Sequence, residues 1–201
     1  MGARPLSFAY YRGMTTFRGK PACECLVKWL PVYERELIRR GVIKESIDIY
    51  QLIGSASASA NTHSTGGAFD IVQHSRKAIY VARQMGADAT WARTPALGFS
   101  PPHAHGVLRG CPHNGAARYQ IAAVDAGYDG TGHNGMGRKD YGPRPLSKRT
   151  WKQGIEWQKK VSAPKPTNVS KAREFLELAL KIADGVRREK IRAALDKLPR
   201  R

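Results

Sequence analysis

No stretch of this chain approaches the ~20 consecutive apolar residues that a helical membrane span requires, so a spanning helix is excluded. Acidic residues are scarce: 16 Asp and Glu stand against 34 Lys and Arg, a net charge of +18. A field of that size attracts polyanions, which selects an anionic class of partner without naming a function. Cysteine is sparse too, and the three thiols lack the dense spacing of a disulfide scaffold. Cys23 and Cys25 are too close for an easy mutual bridge, Cys111 has no obvious mate, and no paired Cys-x-x-Cys knuckle is present, so all three are expected to be reduced. The N-terminal MGARPLSFAYYRG has neither the apolar run of a secretory signal nor the Ser or Thr of a myristoylation motif, since Leu6 stands in its place. The chain is therefore expected to be made in the cytoplasm with no export signal of its own.

What is present is the composition of a globular protein, 41% hydrophobic and 25% charged, with room for one ordinary core and a small appendage. Leu26, Leu30, Tyr33 and Leu37 recur at helical spacing, with Trp29 on the same face and Pro31 expected to kink or divide the helix. The IDIYQLIGSASASANTH segment reads as extended chain whose small side chains leave room for a ligand. SRKAIYVARQM at 75–85 reads as a helix stopped by Gly86, and ATWART and HAHGVL as short strands. Trp91 suits packing under a site or lining it equally well. Residues 126–148, rich in Gly, Asn, Asp and Pro, read as a long, mobile surface loop.

WKQGIEWQKK follows as a short amphipathic piece, and two prolines in SAPKPTN mark a linker. Ala172, Phe175, Leu176, Ala179, Leu180 and Ala183, then Ile191, Leu195 and Leu198, make a helix pair around Gly185. The expectation is an α+β fold: a small antiparallel sheet carrying a metal site, flanked by helices, over 1–160; a linker over 161–168; and a basic helical hairpin over 169–201.

The sharpest local feature is His63-Ser-Thr-Gly-Gly-Ala-Phe-Asp70. Donors to one zinc lie about 2.0–2.2 Å from the metal, whereas seven residues span ~10.5 Å of helix or ~23 Å of strand. Only a chain reversal unites His63 with Asp70, and Gly66 and Gly67 can take the positive φ it demands. Downstream, His103 and His105 are two apart in an extended segment, which puts both imidazoles on one face roughly 7 Å apart. One can bind the metal while the other reaches a substrate. Three protein ligands and an open fourth position form a catalytic zinc arrangement, suited to amide hydrolysis.

This segment resembles the His-x-x-Gly-x-Ala-x-Asp signature of the D-alanyl-D-alanine carboxypeptidase-type zinc peptidases, members of the lysostaphin/D-Ala-D-Ala metallopeptidase superfamily, and His103-Ala-His105 looks like their downstream His-x-His. The resemblance covers residues from about 20 to 125. It implies one catalytic Zn2+ held by His63, Asp70 and His105, with His103 as general base or as support for the tetrahedral intermediate. HAHGVLRGCPHNG further resembles the peptidase part of lysins (endolysins) from phages of actinobacteria, which open the host wall from inside and reach it through a holin. The implied substrate is peptidoglycan, with the L-Ala-D-Glu bond of the stem peptide favoured over D-Ala-D-Ala carboxypeptidase or endopeptidase action.

Two features depart from the relatives. GFSPP offers no acid ahead of the last ligand, which leaves Asp88 and His113 as substitutes for His103 in proton transfer. No arginine precedes His63, which leaves Arg93 or Arg109 to hold a substrate carboxylate. His74, His113 and His133 otherwise read as structural or exposed, and His133-Asn-Gly135 lacks the supporting histidines and ββα pattern of an HNH nuclease. The basic tail suits anionic wall polymers, a separate lysin subunit, or simply a solvated helix pair. Two other readings compete with the peptidase: a non-catalytic zinc-containing wall-binding module, and a basic nucleic-acid-binding protein, the latter disfavoured by the absence of any groove-reading motif.

Overall fold

The computed structural model describes residues 14–54, 60–131, 136–163 and 168–198. The expectations for the small residues 55–59, for His133 and for the linker prolines lie outside them. The chain divides into two compact units, Met1–Val161 and Ser162–Arg201.

The first unit is α+β. A hairpin of β1 (Met14–Phe17) and β2 (Lys20–Cys23), not anticipated from the sequence, leads into α1 (Glu24–Arg39). Then come β3 (Ile49–Gln51), β4 (Ala68–Ile71), α2 (Arg76–Gln84), β5 (Ala89–Arg93), β6 (His103–Val107), α3 (Arg118–Asp125) and α4 (Trp151–Ser162). Strands β3 to β6 form one antiparallel sheet in the order β3-β4-β6-β5.

Side chains alternate across a strand, so the sheet has two unlike faces. One face carries Phe69, Ile71 and Ala104 into a core with Leu26, Trp29, Leu30, Tyr33 and Leu37 of α1 and Ala78, Ile79 and Ala82 of α2. Trp29 stacks on Tyr33 with ring centroids 4.7 Å apart and meets Phe69 at 5.2 Å. The indole and phenol keep their polar ends satisfied, Trp29 donating to the Met85 carbonyl at 2.7 Å and Tyr33 to the Ala78 carbonyl at 3.1 Å. Gly106 admits the Phe69 ring, since a Cβ there would stand 2.2 Å from Phe69 Cζ. The opposite face packs Ala68, Ala89, Trp91 and Val107 against Ala117 and Val124 around α3. It is the face that Asp70, His103 and His105 share.

Helix α1 runs on across Pro31, so of the two expectations, kink or division, division does not occur. The buried side chains on both sides, Leu26, Trp29 and Leu30 before it and Val32, Tyr33 and Leu37 after it, bury enough apolar surface to outweigh the roughly 3 kcal/mol that an internal proline costs. Helix α2 matches its sequence signals: Ser75 caps it by accepting from the Ala78 amide, and Gly86 follows at φ +90°.

The C-terminal end of α1 contains a buried carboxylate. Glu36 accepts from Arg39 (2.7 Å), Arg40 (2.6 Å) and Gln158 of α4 (3.3 Å). Burial works to raise its carboxyl, but these hydrogen bonds outweigh burial and hold the group down at about 2. A folded-state value below the ordinary one, about 4.3, contributes stability that is complete above that value and is lost as pH falls toward about 2. Thermal unfolding followed from neutral pH downward should show a steep acid limb in this window, and Glu36→Gln should flatten it. An unchanged limb in the variant would assign acid sensitivity to other groups.

The second unit is a hairpin of α5 (Asn168–Ile182) and α6 (Gly185–Asp196). Arg173 reaches across it to the Leu195 and Leu198 carbonyls at 3.5 and 3.1 Å. Leu176, Ala179, Leu180 and Ala183 are half-buried as their spacing suggests, whereas Phe175, also counted in that stripe, is exposed.

Candidate metal centre

The register of the sheet assembles the site. Asp70 of β4 and His105 of β6 are directly paired across the strands, and β6 also pairs His105 with Trp91 and His103 with Arg93 of β5. Directly opposed residues project to the same face, so the two potential ligands meet without any loop holding them. His63 arrives from the segment between β3 and β4. It is brought round by Gly66 at φ +126° and Gly67 at φ +74°, the reversal that the two glycines suggest.

The three ligand atoms converge. His105 Nδ1 lies 2.8 Å from Asp70 Oδ1 and 3.2 Å from His63 Nε2, and His63 Nε2 lies 3.2 Å from Asp70 Oδ2. His63 is 1% exposed and His105 6%.

What the far side of each imidazole does is decisive. His63 Nδ1 is 2.7 Å from the Leu52 carbonyl, which can only accept, so Nδ1 carries the proton and Nε2 keeps its lone pair. His105 Nε2 is 2.8 Å from Gln120 Oε1, and the Gln120 amide is oriented by its own donation to the Gly130 carbonyl at 3.4 Å. His105 therefore donates from Nε2 and keeps the lone pair on Nδ1. Two lone pairs and a carboxylate meeting at one point, each imidazole anchored by a carbonyl behind it, is a donor set that fits a divalent metal such as zinc.

Electrostatics agree. Burial opposes the charge on Asp70, yet the adjoining His105 and His63 imidazoles outweigh it and keep the carboxyl well below the usual carboxylate range. Burial also opposes protonation of His63, which the Asp70 hydrogen bond overcomes, raising that imidazole above its ordinary value, while burial dominates at His105 and lowers it. The carboxylate is thus ionised in a largely buried pocket beside the two imidazoles.

His103 sits beside this cluster. Its Nδ1 donates to the Pro101 carbonyl at 2.7 Å, which leaves Nε2 basic and 3.9 Å from Asp70 Oδ1. The ring stands edge-on to Tyr50 and Phe99. Arg93, 3% exposed, lies over the rings of Trp91 and Phe99 and donates to the Asp129 carbonyl at 2.9 Å, while its Nη1 has no hydrogen-bond partner. Phe99 and Asp129 continue into an open cavity of about 340 Å³ that Leu97, Thr131, Gly137 and Arg138 complete.

The other candidates fall elsewhere. Asp88 is bound by Arg109 at 2.9 Å and by Ser147, and Arg109 is further committed to Asp125, so neither is free for proton transfer or substrate. His113 turns its Nδ1 toward Cys25 and Cys111, away from the His63 group. Trp91 is wholly buried and donates to Asp140, which makes it the floor of the site and not its wall.

Gln120 was not legible in the sequence. It comes from the eight-residue α3, fifteen positions after its histidine, with no motif to announce it. Gln120→Leu should free the His105 ring and lower metal affinity by about 10–100-fold, the range typical for loss of such an outer partner. Competition with a chromophoric chelator measures this, and an unchanged affinity would deny Gln120 the role.

Comparison with known protein families, curated proteins and solved structures gives no match to this chain.

Proposed function

We propose that the chain is a zinc-dependent peptidase that hydrolyses amide bonds in the stem peptide of bacterial peptidoglycan, acting as a phage endolysin. The observation that carries the reading is the convergence of His63 Nε2, His105 Nδ1 and the Asp70 carboxylate, each imidazole locked in the matching tautomer. Its agreement with the His-x-x-Gly-x-Ala-x-Asp and His-x-His pattern supports the peptidase class. His63, Asp70 and His105 would hold one Zn2+. Bound there, zinc supplies a Lewis acid and lowers the pKa of water toward ~7.

The chain's own groups supply the rest. His103 presents a basic Nε2 to the site and is the group to take the proton of the attacking water and return it to the departing amine, a role that requires reach across one hydrogen bond or one water. Arg93, whose Nη1 makes no hydrogen bond among the described residues and stands 3.8 Å from Asp129 Oδ2, is the cation to meet a substrate carboxylate. It lies near enough to Asp70 and His105 to influence their ionisation, and Arg109 is already doubly paired. The excess of basic residues favours association with anionic wall polymers. Cleavage at L-Ala-D-Glu is the favoured bond, D-Ala-D-Ala carboxypeptidase or endopeptidase action the alternative. Passage to the wall through a holin completes the endolysin reading. No described helix is long and apolar enough to cross a membrane.

The test of the role assignment is His103→Gln. It should keep the metal, since His103 is outside the ligand set, and lose about 10²–10³-fold in kcat on a stem-peptide substrate. Full activity with the metal retained would remove His103 from proton transfer. Metal loss would make it a ligand instead.

A further inference from the structure

Away from the His63 cluster, four more side chains converge. Cys23 ends β2, Cys25 lies in the first turn of α1, and Cys111 and His113 follow β6, so a Cys-x-Cys pair meets a Cys-x-His pair from 88 residues away. Cys23 Sγ is 3.8 Å from Cys111 Sγ, and His113 Nδ1 is 3.8 Å from Cys25 Sγ and 3.7 Å from Cys111 Sγ. All four ligand atoms lie within 4.8 Å of one another.

These distances have a specific meaning. Four donors around one zinc, at about 2.3 Å for sulfur and about 2.0 Å for nitrogen in tetrahedral array, stand about 3.8 Å apart sulfur to sulfur and about 3.5 Å sulfur to nitrogen. A disulfide between Cys23 and Cys111 would need about 2.05 Å. Buried thiols that merely fill a core have no reason to gather an imidazole with its nitrogen turned toward two sulfurs. We propose that Cys23, Cys25, Cys111 and His113 form a second, structural zinc site, closed by four protein ligands and separate from the His63, Asp70 and His105 cluster.

The surroundings suit thiolate. Cys23 precedes α1 at its N-terminus, where helical amides favour negative charge, and its sulfur accepts from the Gly67 amide at 3.3 Å. With four protein donors no position is left for water or substrate, which separates this site from a catalytic one.

Its place in the fold says what it does. The Gly66-Gly67 turn that carries His63 round to Asp70 lies on these sulfurs: a Cβ on Gly66 would stand 3.2 Å from Cys23 Sγ, and one on Gly67 3.1 Å from Cys111 Sγ. Thr65 donates to the His113 carbonyl at 2.6 Å, and the Gly67 carbonyl accepts from Leu108. The site therefore ties the start of α1 and the loop after β6 to the turn that sets the first cluster. The two clusters share no residue.

Cobalt replaces zinc and reports its ligands. The full chain, loaded with Co2+, should show intense thiolate-to-cobalt charge-transfer absorption in the near ultraviolet. His63→Ala should retain that absorption while losing one of two bound metals, and Cys111→Ser should lose most of it and the other metal. The wild-type spectrum decides even if Cys111→Ser does not fold. Absence of the thiolate band from the metal-loaded wild type, or a native mass two hydrogens short from a Cys23-Cys111 disulfide, would overturn the site.

Discussion

His63→Ala should abolish cleavage of peptidoglycan, leaving less than about one part in 10⁴ of the wild-type rate. A zinc held by the proposed ligands would lower the pKa of water toward about 7, and without it that water would stay near 15.7, with almost no hydroxide form at neutral pH. The variant should also lose one metal equivalent, because Asp70 and His105 alone give two donors where a catalytic zinc takes three from the protein. The fold should survive. Asp70 and His105 are held by strand pairing, and among the described residues the imidazole removed hydrogen-bonds the Leu52 carbonyl besides its fellow ligands. Thermal unfolding, metal content and turnover measured together separate loss of site from loss of structure. Retained turnover with one metal fewer would show that His63 serves another purpose.

The second large effect is expected far from the metal. Arg83 of α2 is fully buried and pairs with the equally buried Asp140, its two terminal nitrogens each 2.9 Å from a carboxylate oxygen. Asp140 also accepts from Trp91, the cross-strand partner of His105, and from the Gly142 amide. Gly142 makes this possible, since a Cβ there would stand 2.0 Å from Arg83 Nη2. Asp140→Ala leaves a buried guanidinium without its counter-charge and should cost about 3–5 kcal/mol, about 10 °C in Tm for a unit of this size. Replacing both partners, Arg83→Met with Asp140→Leu, should recover much of that loss, because no charge is then stranded. A loss below about 1 kcal/mol in the single variant would show that the Thr90 and Pro143 carbonyls, which also accept from Arg83, satisfy it unaided.

This pair explains why residues 126–148 were only partly legible in the sequence. Gly, Asn, Asp and Pro rightly signalled irregular chain, since the segment has only one isolated bridge, Tyr128 with Lys139, among its described residues. Asp129 and Asp140 nevertheless tie its described part to the core. Asp140 and Asp129 are acids in a polar loop, and nothing in composition says that a buried arginine awaits each of them. The first cluster was legible for the opposite reason: His63, the two glycines and Asp70 are close in sequence, and strand alternation puts His103 and His105 on one face. The Cys and His cluster was not, because each half is only a three-residue pair, and their meeting depends on how β2 and α1 pack beside the chain after β6. Pro31 failed as a breaker because burial on both sides outweighs local preference.

The most direct test of the central claim is digestion of purified actinobacterial peptidoglycan by the zinc-loaded full chain, with new amino termini and fragment masses identified. The expected result is release of fragments with new D-Glu amino termini, stopped by a chelator and restored by added zinc. New termini at D-Ala bonds would keep the peptidase and move its cleavage site. Intact peptidoglycan in the presence of chain with metal bound at His63, Asp70 and His105 would contradict the account and leave a metal-binding wall module in its place.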